Sequence, residues 1–296
     1  MTKAGFVAVL GAPNAGKSTL VNRLVGSKVS IVSSKVQTTR TRVLGIVMHD
    51  GAQVVLVDTP GIFKPKRRLD RAMVAAAWTG AQDADAVLLI VDARKGYDDE
   101  SQAIVARLKE EGRRAFLALN KVDQADKGKL LKLAETMDAE GCFDAVFMIS
   151  ALTGDGCGTL IAKLAERMPE GPYLFPEDEL SDMPERLLAA EVVREQLYHK
   201  LHQELPYAAT VETESWQERK DGSVKIEVTI FVERDGQKSI VLGEKGSMVK
   251  AIGSAARLEL EQMLERKVHL FLFVKVRGNW QEDRERYSPW GLDFEA

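Results

Sequence analysis

The sequence predicts an α/β protein in which a first domain, a mostly parallel sheet with helices on both faces, precedes a smaller α+β domain. Three observations carry the prediction. From Gly5 to about Met168, short β-rich apolar runs (FVAVL, QVVLVD, AVLLIVD, AFLALN and AVFMIS) alternate with stretches whose apolar residues recur at helical spacing, the signature of βαβ units. The stretch MPEGPYLFPEDELSDMPE then breaks regular periodicity with Pro169, Pro172, Pro176, Pro184 and several acids, as linkers do. Beyond it the order becomes helix, strand, strand, glycine-flanked turn, helix and strand. The expected boundaries are therefore 1–170 for the first domain, 171–184 for the linker and 185–296 for the second domain.

Composition bounds the class. The 296 residues suffice for two cores, with 45% hydrophobic and 29% charged residues and a net charge of −3. No apolar run approaches the roughly 18 residues that span a bilayer. The N-terminus MTKAGFVAVLGAPN lacks the long apolar region and cleavage site of a signal peptide and reads as a first core strand. Cys142 and Cys157 show no paired-ligand spacing, so they read as packing residues of a chain in a reducing cytoplasm.

In chain order, the first strand runs into GAPNAGKST, Gly11 to Thr19, which matches GxxxxGKS between a strand and a helix. Its backbone at Gly11, Ala12, Pro13, Asn14, Ala15 and Gly16 is expected to wrap a β-phosphate, with amides pointing inward at a helix N-terminus. Lys17 would reach the β- and γ-phosphates, Ser18 would ligate Mg²⁺, and Thr19 completes the segment. The polar stretch QTTR, Gln37 to Arg40, suits a mobile switch whose threonine completes the Mg²⁺ shell; Thr39 is preferred, with Thr38 the near alternative.

DTPG, Asp58 to Gly61, ends the strand QVVLVD, so Asp58 would hold a water on the Mg²⁺ and the Gly61 amide would meet the γ-phosphate. NKVD, Asn120 to Asp123, ends AFLALN. The Asp123 carboxylate would accept from N1 and the 2-amino group of guanine, a donor pair adenine lacks, while Lys121 covers the ring. Facing adenine, those acceptors would be desolvated and unpaired, at about 1–3 kcal/mol each. SAL, Ser150 to Leu152, places the Ala151 amide for guanine O6. Four motifs in this order, each at a strand end where α/β ligand crevices form, predict a GTPase with Mg²⁺ as cofactor and Lys17, Thr39 and Gly61 as catalytic residues. The residue after DTPG is Ile62, where Ras-type enzymes carry a water-orienting glutamine. A hydrocarbon cannot orient water, so weak basal turnover is expected.

In the second domain, Pro184 to Leu205 reads as an amphipathic helix, and the turn Lys220–Ser223 joins two strands whose Val224, Ile226, Val228 and Ile230 share a face. Gly243-Glu244-Lys245-Gly246 then opens a helix. In this element order it fits the GXXG loop of a type II KH module, a clamp for about four nucleotides of single-stranded RNA. Residues 181–296 hold 17 Lys and Arg against 21 Asp and Glu, a net of −4. Such a domain does not coat a duplex. The expected contact is a local patch of Lys238, Lys245 and Lys250 about the loop, with Arg257, Lys275, Arg277 and Trp280 as candidate extensions. His49, His199, His202 and His269 are scattered and nominate no catalytic or metal site.

QTTR, DTPGIF, NKVD and the C-terminal GXXG domain, together with ELPYAATVE, VERDGQKSIVLGEKG and VKVRGNW, resemble the bacterial Era-type GTPases over essentially the whole chain. The resemblance implies a TRAFAC-class G domain in which a hydrophobic residue after DTPG is normal. It further implies a KH domain that binds the 3′ end of small-subunit ribosomal RNA in the assembling particle, and a fraction of the protein peripheral to the inner membrane. The resulting expectation is a monomeric assembly GTPase whose nucleotide state reaches the KH loop through the linker Gly171–Pro184. The competing reading is a regulatory switch acting on a protein or membrane partner with the GXXG domain as adaptor; an ATP-dependent helicase or kinase is disfavoured by NKVD.

Overall fold

The alternating runs of the first domain pair into one six-stranded sheet, ordered β2-β3-β1-β4-β5-β6. Its strands are β1 (Lys3–Gly11), β2 (Val43–His49), β3 (Ala52–Asp58), β4 (Ala86–Asp92), β5 (Ala115–Asn120) and β6 (Phe143–Ile149). The computed structural model describes residues 2–35, 38–201 and 205–296. All neighbouring strands are parallel except β2, which runs antiparallel to β3 at the edge.

Alternation along the strands feeds two cores, one on each face. Val7, Val9, Leu88 and Ile90 pack with Leu20 and Val21 of α1 (Lys17–Val25) and Leu160 and Leu164 of α5 (Cys157–Arg167). Ala8, Leu10, Val87 and Leu89 pack on the other face with Ala77 and Trp78 of α2 (Arg68–Asp83), Ile104 and Leu108 of α3 (Asp99–Glu110) and Leu133 and Met137 of α4 (Lys127–Asp138). Each fully buried aliphatic contributes roughly 1.5–3 kcal/mol. Local chemistry sets the helix starts. Asp98 and Asp126 cap α3 and α4 by accepting from Ser101 N and Lys129 N, both at 2.9 Å. Cys142 and Cys157 are buried free thiols, one in each core.

The second sheet is ordered β7-β8-β9: β7 (Ala209–Glu218) antiparallel to β8 (Val224–Val232), and β8 parallel to β9 (Val268–Val276). Val224, Ile226, Val228 and Ile230 all face inward against α6 (Glu185–Lys200) and α8 (Ser247–Met263). A further helix, α7 (Asp235–Leu242), stands before the GXXG loop where no helix was expected. It is short, and its start is braced by Gln237 Oε1, which accepts from Glu233 N and Arg234 N.

The chain divides by contacts into Met1–Asp182 with Arg284–Ala296, and Met183–Asp283. The division after Asp182 falls within the expected linker, and two segments pack on the first unit for a physical reason. The proline-rich segment lies on the edge of the first sheet: the Gln53 side chain holds the backbone of Leu174 and Phe175, and Ile46 N donates to Leu180 O at 2.9 Å. The last 13 residues, expected in the second domain, join the first unit. There the Arg68 guanidinium stacks on Phe294 at 4.4 Å and donates to its carbonyl at 3.2 Å, and Tyr287 meets Phe294 edge-on at 4.9 Å.

Candidate functional site

The strand β1 ends at Gly11 with φ 156°, and a Cβ there would stand 2.4 Å from Ile90 O. Gly16, with φ 105°, caps α1; a Cβ on it would stand 2.2 Å from Asn120 Nδ2. Glycine at these positions is what allows the loop to close on itself. Lys17 is buried and donates from Nζ to Gly11 O and Ala12 O, each at 3.1 Å. Burial lowers its pKa to about 8, with the Asp58 and Glu100 charges opposing.

Behind the loop, Asp58 at the end of β3 is wholly buried. Its Oδ2 accepts from Ser18 Oγ at 2.6 Å, from Ser30 Oγ at 2.7 Å and, at 3.5 Å, from Thr39 Oγ1. Ser18 and Thr39 hydroxyls are 2.9 Å apart. Burial pushes the Asp58 carboxyl above its ordinary value, opposed by the Ser18 bond, the Lys17 charge and the Ser30 and Thr39 bonds. Its Oδ1 is buried with no hydrogen-bond partner among the described residues. A carboxylate with one unfilled oxygen beside two alcohols fits a hard divalent cation such as Mg²⁺. Geometry also separates the two threonines: Thr38 Oγ1 donates to Lys35 O at 2.7 Å, and only Thr39 reaches Ser18. Gln37 of QTTR lies outside the described residues.

A cavity of about 450 Å³ joins these groups, lined among others by Pro13, Lys17, Ser18, Thr39, Gly61 and Lys121. Gly61 lies so close to Pro13 that a Cβ would meet its Cα and N at 3.0 Å. Ile62 is 8% exposed, packed in the core with Ala8 and Leu10, and its amide donates to Gly11 O at 3.0 Å. The hydrocarbon after DTPG is thus a core residue.

At the other end of the cavity, Asn120 braces two loops: Nδ2 donates to Ala15 O at 2.8 Å and Oδ1 accepts from Ala151 N at 2.9 Å. The Ala151 amide expected to meet guanine O6 is therefore engaged by Asn120. Lys121, with φ 67°, donates to Asn14 O at 2.6 Å and Asp92 Oδ2 at 2.8 Å. Asp123 is exposed, and the Ser150 hydroxyl beside it lowers its carboxyl. Leu152 is exposed. Three residues absent from the sequence reading join the site. Ser30 is a third hydroxyl on Asp58. Asp92 anchors Lys121; burial raises its carboxyl, but the Arg94 and Lys121 bonds outweigh that and hold it at about 2. Arg23 holds the carbonyls of Ala151 and Leu152. Asp92 had a legible signal, since it ends β4 as Asp58 and Asn120 end their strands; Ser30 and Arg23 had none.

In the second unit, Gly243 (φ 71°, ψ 175°) ends α7, and Gly246 (φ 80°) caps α8, with Glu244–Gly246 forming one 3₁₀ turn between them. A Cβ at Gly243 would stand 2.7 Å from Met248 Cβ. Glu244, Lys245 and Lys250 are exposed and Lys238 is half-buried. The candidate extensions are otherwise engaged: Arg257 pairs with Glu261 at 2.8 Å, Lys275 with Glu214 at 3.3 Å and Arg277 with Asp283 at 2.5 Å. Trp280 is buried and donates to Ala208 O at 3.0 Å, so it packs the fold. No group of three or more His, Cys, Asp or Glu that could hold a metal occurs among the described residues; His202 lies outside them.

Comparison with known proteins agrees with this geometry. The family model described as a 50S ribosome-binding GTPase matches residues 6–121, and a KH domain model matches residues 204–281. The chain is 61% identical over 293 residues to GTPase Era of Brucella suis biovar 1 (strain 1330), and 59% identical over 293 residues to GTPase Era of Sinorhizobium medicae (strain WSM419). Each alignment covers 99% of this chain and 94% of the relative. Two solved structures superpose with a TM-score of 0.93 at 37% identity, covering 98% of this chain and 99% of theirs: a variant of Aquifex aeolicus Era bound to GDP·AlF4⁻, and Era in complex with MgGDPNP and nucleotides 1506–1542 of 16S ribosomal RNA. By whole-length identity and by the two matched modules, the chain belongs to the Era family of GTPases.

Proposed function

We propose that the protein binds and hydrolyses GTP with Mg²⁺, and that its KH unit binds the single-stranded 3′ end of small-subunit ribosomal RNA during assembly of that subunit. The observation that carries the GTP half is the cluster Ser18, Thr39 and Asp58, with Asp58 Oδ1 unfilled behind the phosphate loop. The RNA half draws on the Gly243–Gly246 loop and on the solved Era complex with a 16S segment. The description of the G-domain model names the large subunit, but that model stops at residue 121, short of the RNA module.

In this reading the amides of Gly11–Thr19 receive the phosphates, and Lys17 exchanges its two carbonyl partners for phosphate oxygens. A bound Mg²⁺ would supply charge neutralisation for phosphoryl transfer. Ser18 and Thr39 supply its alcohol ligands, and Asp58 holds that shell from behind. The Thr39 hydroxyl already stands 2.9 Å from Ser18 Oγ, and in this reading the γ-phosphate secures its segment there, which makes that segment the switch. The Gly61 amide serves the γ-phosphate. Asp123 and Lys121 read and cover the guanine. With Ile62 in the core, no side chain of that segment orients the attacking water, so basal turnover is slow; multiple-turnover hydrolysis at tens per second by the isolated chain would refute this.

Both chain crossings between the units, after Asp182 and before Arg284, start from segments packed on the first unit. The linker lies on β2 and β3, and the tail on the first turn of α2, a few residues after DTPG. These are the routes by which nucleotide state reaches the RNA loop, and by reciprocity RNA favours GTP by the factor GTP favours RNA. The family resemblance extends the reading to a monomer in the cytoplasm with a peripheral inner-membrane fraction; no described helix is long and apolar enough to cross a membrane.

The test is binding of a short ribosomal 3′-end oligonucleotide and a scrambled control, with GDP and then a non-hydrolysable GTP analogue. Preferential binding of the true sequence in the GTP state is expected. Equal affinity in both states would remove the coupling, and binding to neither strand would move the function to the adaptor reading.

A further inference from the structure

We infer that Arg23 is a positioning residue of the base-recognition loop: it clamps Ser150–Leu152 so that Asp123 is held ready for guanine. The inference rests on the GTP reading above. Arg23 stands near the end of α1, the helix whose first turn carries Lys17 and Ser18. Its Nε donates to Ala151 O at 3.2 Å, and its terminal nitrogen donates to Leu152 O. From the opposite side, the Asn120 side chain holds the Ala151 amide and, through Ala15 O, the phosphate loop. The tripeptide is therefore gripped at two carbonyls from the last turn of α1 and at one amide by Asn120, which also holds Ala15 O of the phosphate loop.

The grip reaches the base reader through Asn120, which opens the segment Asn120–Asp123 and accepts from Ala151 N at 2.9 Å. Displacing the loop therefore loosens the segment that carries Asp123, and it moves away the Ser150 hydroxyl that lowers the Asp123 carboxyl. Gly154, with φ 98°, folds the next residues back so that its Cβ position lies 3.8–4.0 Å from the Arg23 side chain. Beside the clamp, a cavity of about 340 Å³ is lined by Thr19, Val32, Arg23 and Leu152. Arg23 thus lines this cavity as well as bracing the loop. A lysine would keep the charge but lose the two-pronged donor geometry that meets two successive carbonyls.

The experiment compares the full-length wild type with Arg23→Ala and Arg23→Lys. It measures affinity for GTP and ITP, which lacks the 2-amino group, GDP dissociation, KM and kcat for GTP, and Tm without nucleotide. For Arg23→Ala, GDP dissociation speeds up about tenfold and the GTP-over-ITP preference falls about fivefold, the scale of losing hydrogen bonds from a charged donor. KM rises while kcat stays within about twofold, and Arg23→Lys falls between. GTP and ITP affinities that weaken in parallel, with a lowered Tm, would overturn positioning in favour of plain structural support. Unchanged dissociation and preference would overturn it outright. A wild type that does not prefer GTP over ITP would instead overturn the GTP reading itself.

Discussion

The two units hold their candidate sites in opposite ways. In the first, the polar groups other than the exposed Asp123 are buried or half-buried and cross-braced over long stretches of chain: Ser18 to Asp58, Asn120 to Ala15 and Ala151, Lys121 to Asn14 and Asp92. In the second, Glu244, Lys245 and Lys250 are exposed, and what is fixed is the backbone, through positive φ at Gly243, Lys245 and Gly246. A buried, braced site discriminates by leaving wrong partners unpaired, so its substitutions act sharply and change specificity. An exposed loop of fixed shape binds through backbone fit and screened charge, so its side-chain substitutions act in graded, salt-dependent steps.

That contrast sets the order of expected effects. The largest belongs to the base reader: Asp123→Asn should swing preference from GTP to xanthosine triphosphate by about 10³-fold or more, measured by competition for one labelled nucleotide; retained GTP preference would remove Asp123 from base recognition. Next comes the backbone of the second site. Gly243→Asp places a Cβ against Met248 and a charge against phosphate, so RNA binding should fall about 100-fold and stability by about 1–3 kcal/mol. Normal RNA binding by a folded Gly243→Asp protein would dissolve the claim that shape dominates there.

A pH series probes the first site. Lys17 is lowered to about 8 by burial in the nucleotide-free protein, and phosphate favours its protonated form. GDP affinity should therefore be flat below about pH 8 and fall by up to about tenfold per unit from pH 8 to 9, with proton uptake visible by calorimetry. An affinity flat to pH 9 would mean that Lys17 stays charged without nucleotide. The smallest effect falls on surface charge. Lys245→Asp should weaken RNA binding by about tenfold at low salt and reduce the salt slope by about 1 to 2; an effect that persists unchanged at high salt would place Lys245 among the shape determinants.

How much of this was legible in the sequence follows from the range of the forces involved. Strong periodicity and punctuating glycines marked β1 and β3 to β6, the Gly11–Thr19 loop and the inward row Val224, Ile226, Val228 and Ile230, because these follow from local sterics and burial. The edge strand β2 was not marked. Its VLGIVMH run is broken by Gly45, which is glycine because Val21 and Val25 of α1 lie within 2.7 and 2.8 Å of where its Cβ would be, a contact no local pattern reveals. The eight-residue α7 is too short for helical periodicity to register.

Residue types and order alone determined that a guanine nucleotide site and a GXXG module share this chain. Tertiary structure alone decided which threonine stands by Asp58, that Ile62 packs inward, that Asn120 takes the Ala151 amide, that Arg23 grips the base loop, and that the last 13 residues close on Arg68. Each of these is a contact between residues far apart in sequence, or a choice of which face a side chain presents. Such choices are settled by competition for burial and hydrogen bonds in the folded chain, and local propensity does not encode them.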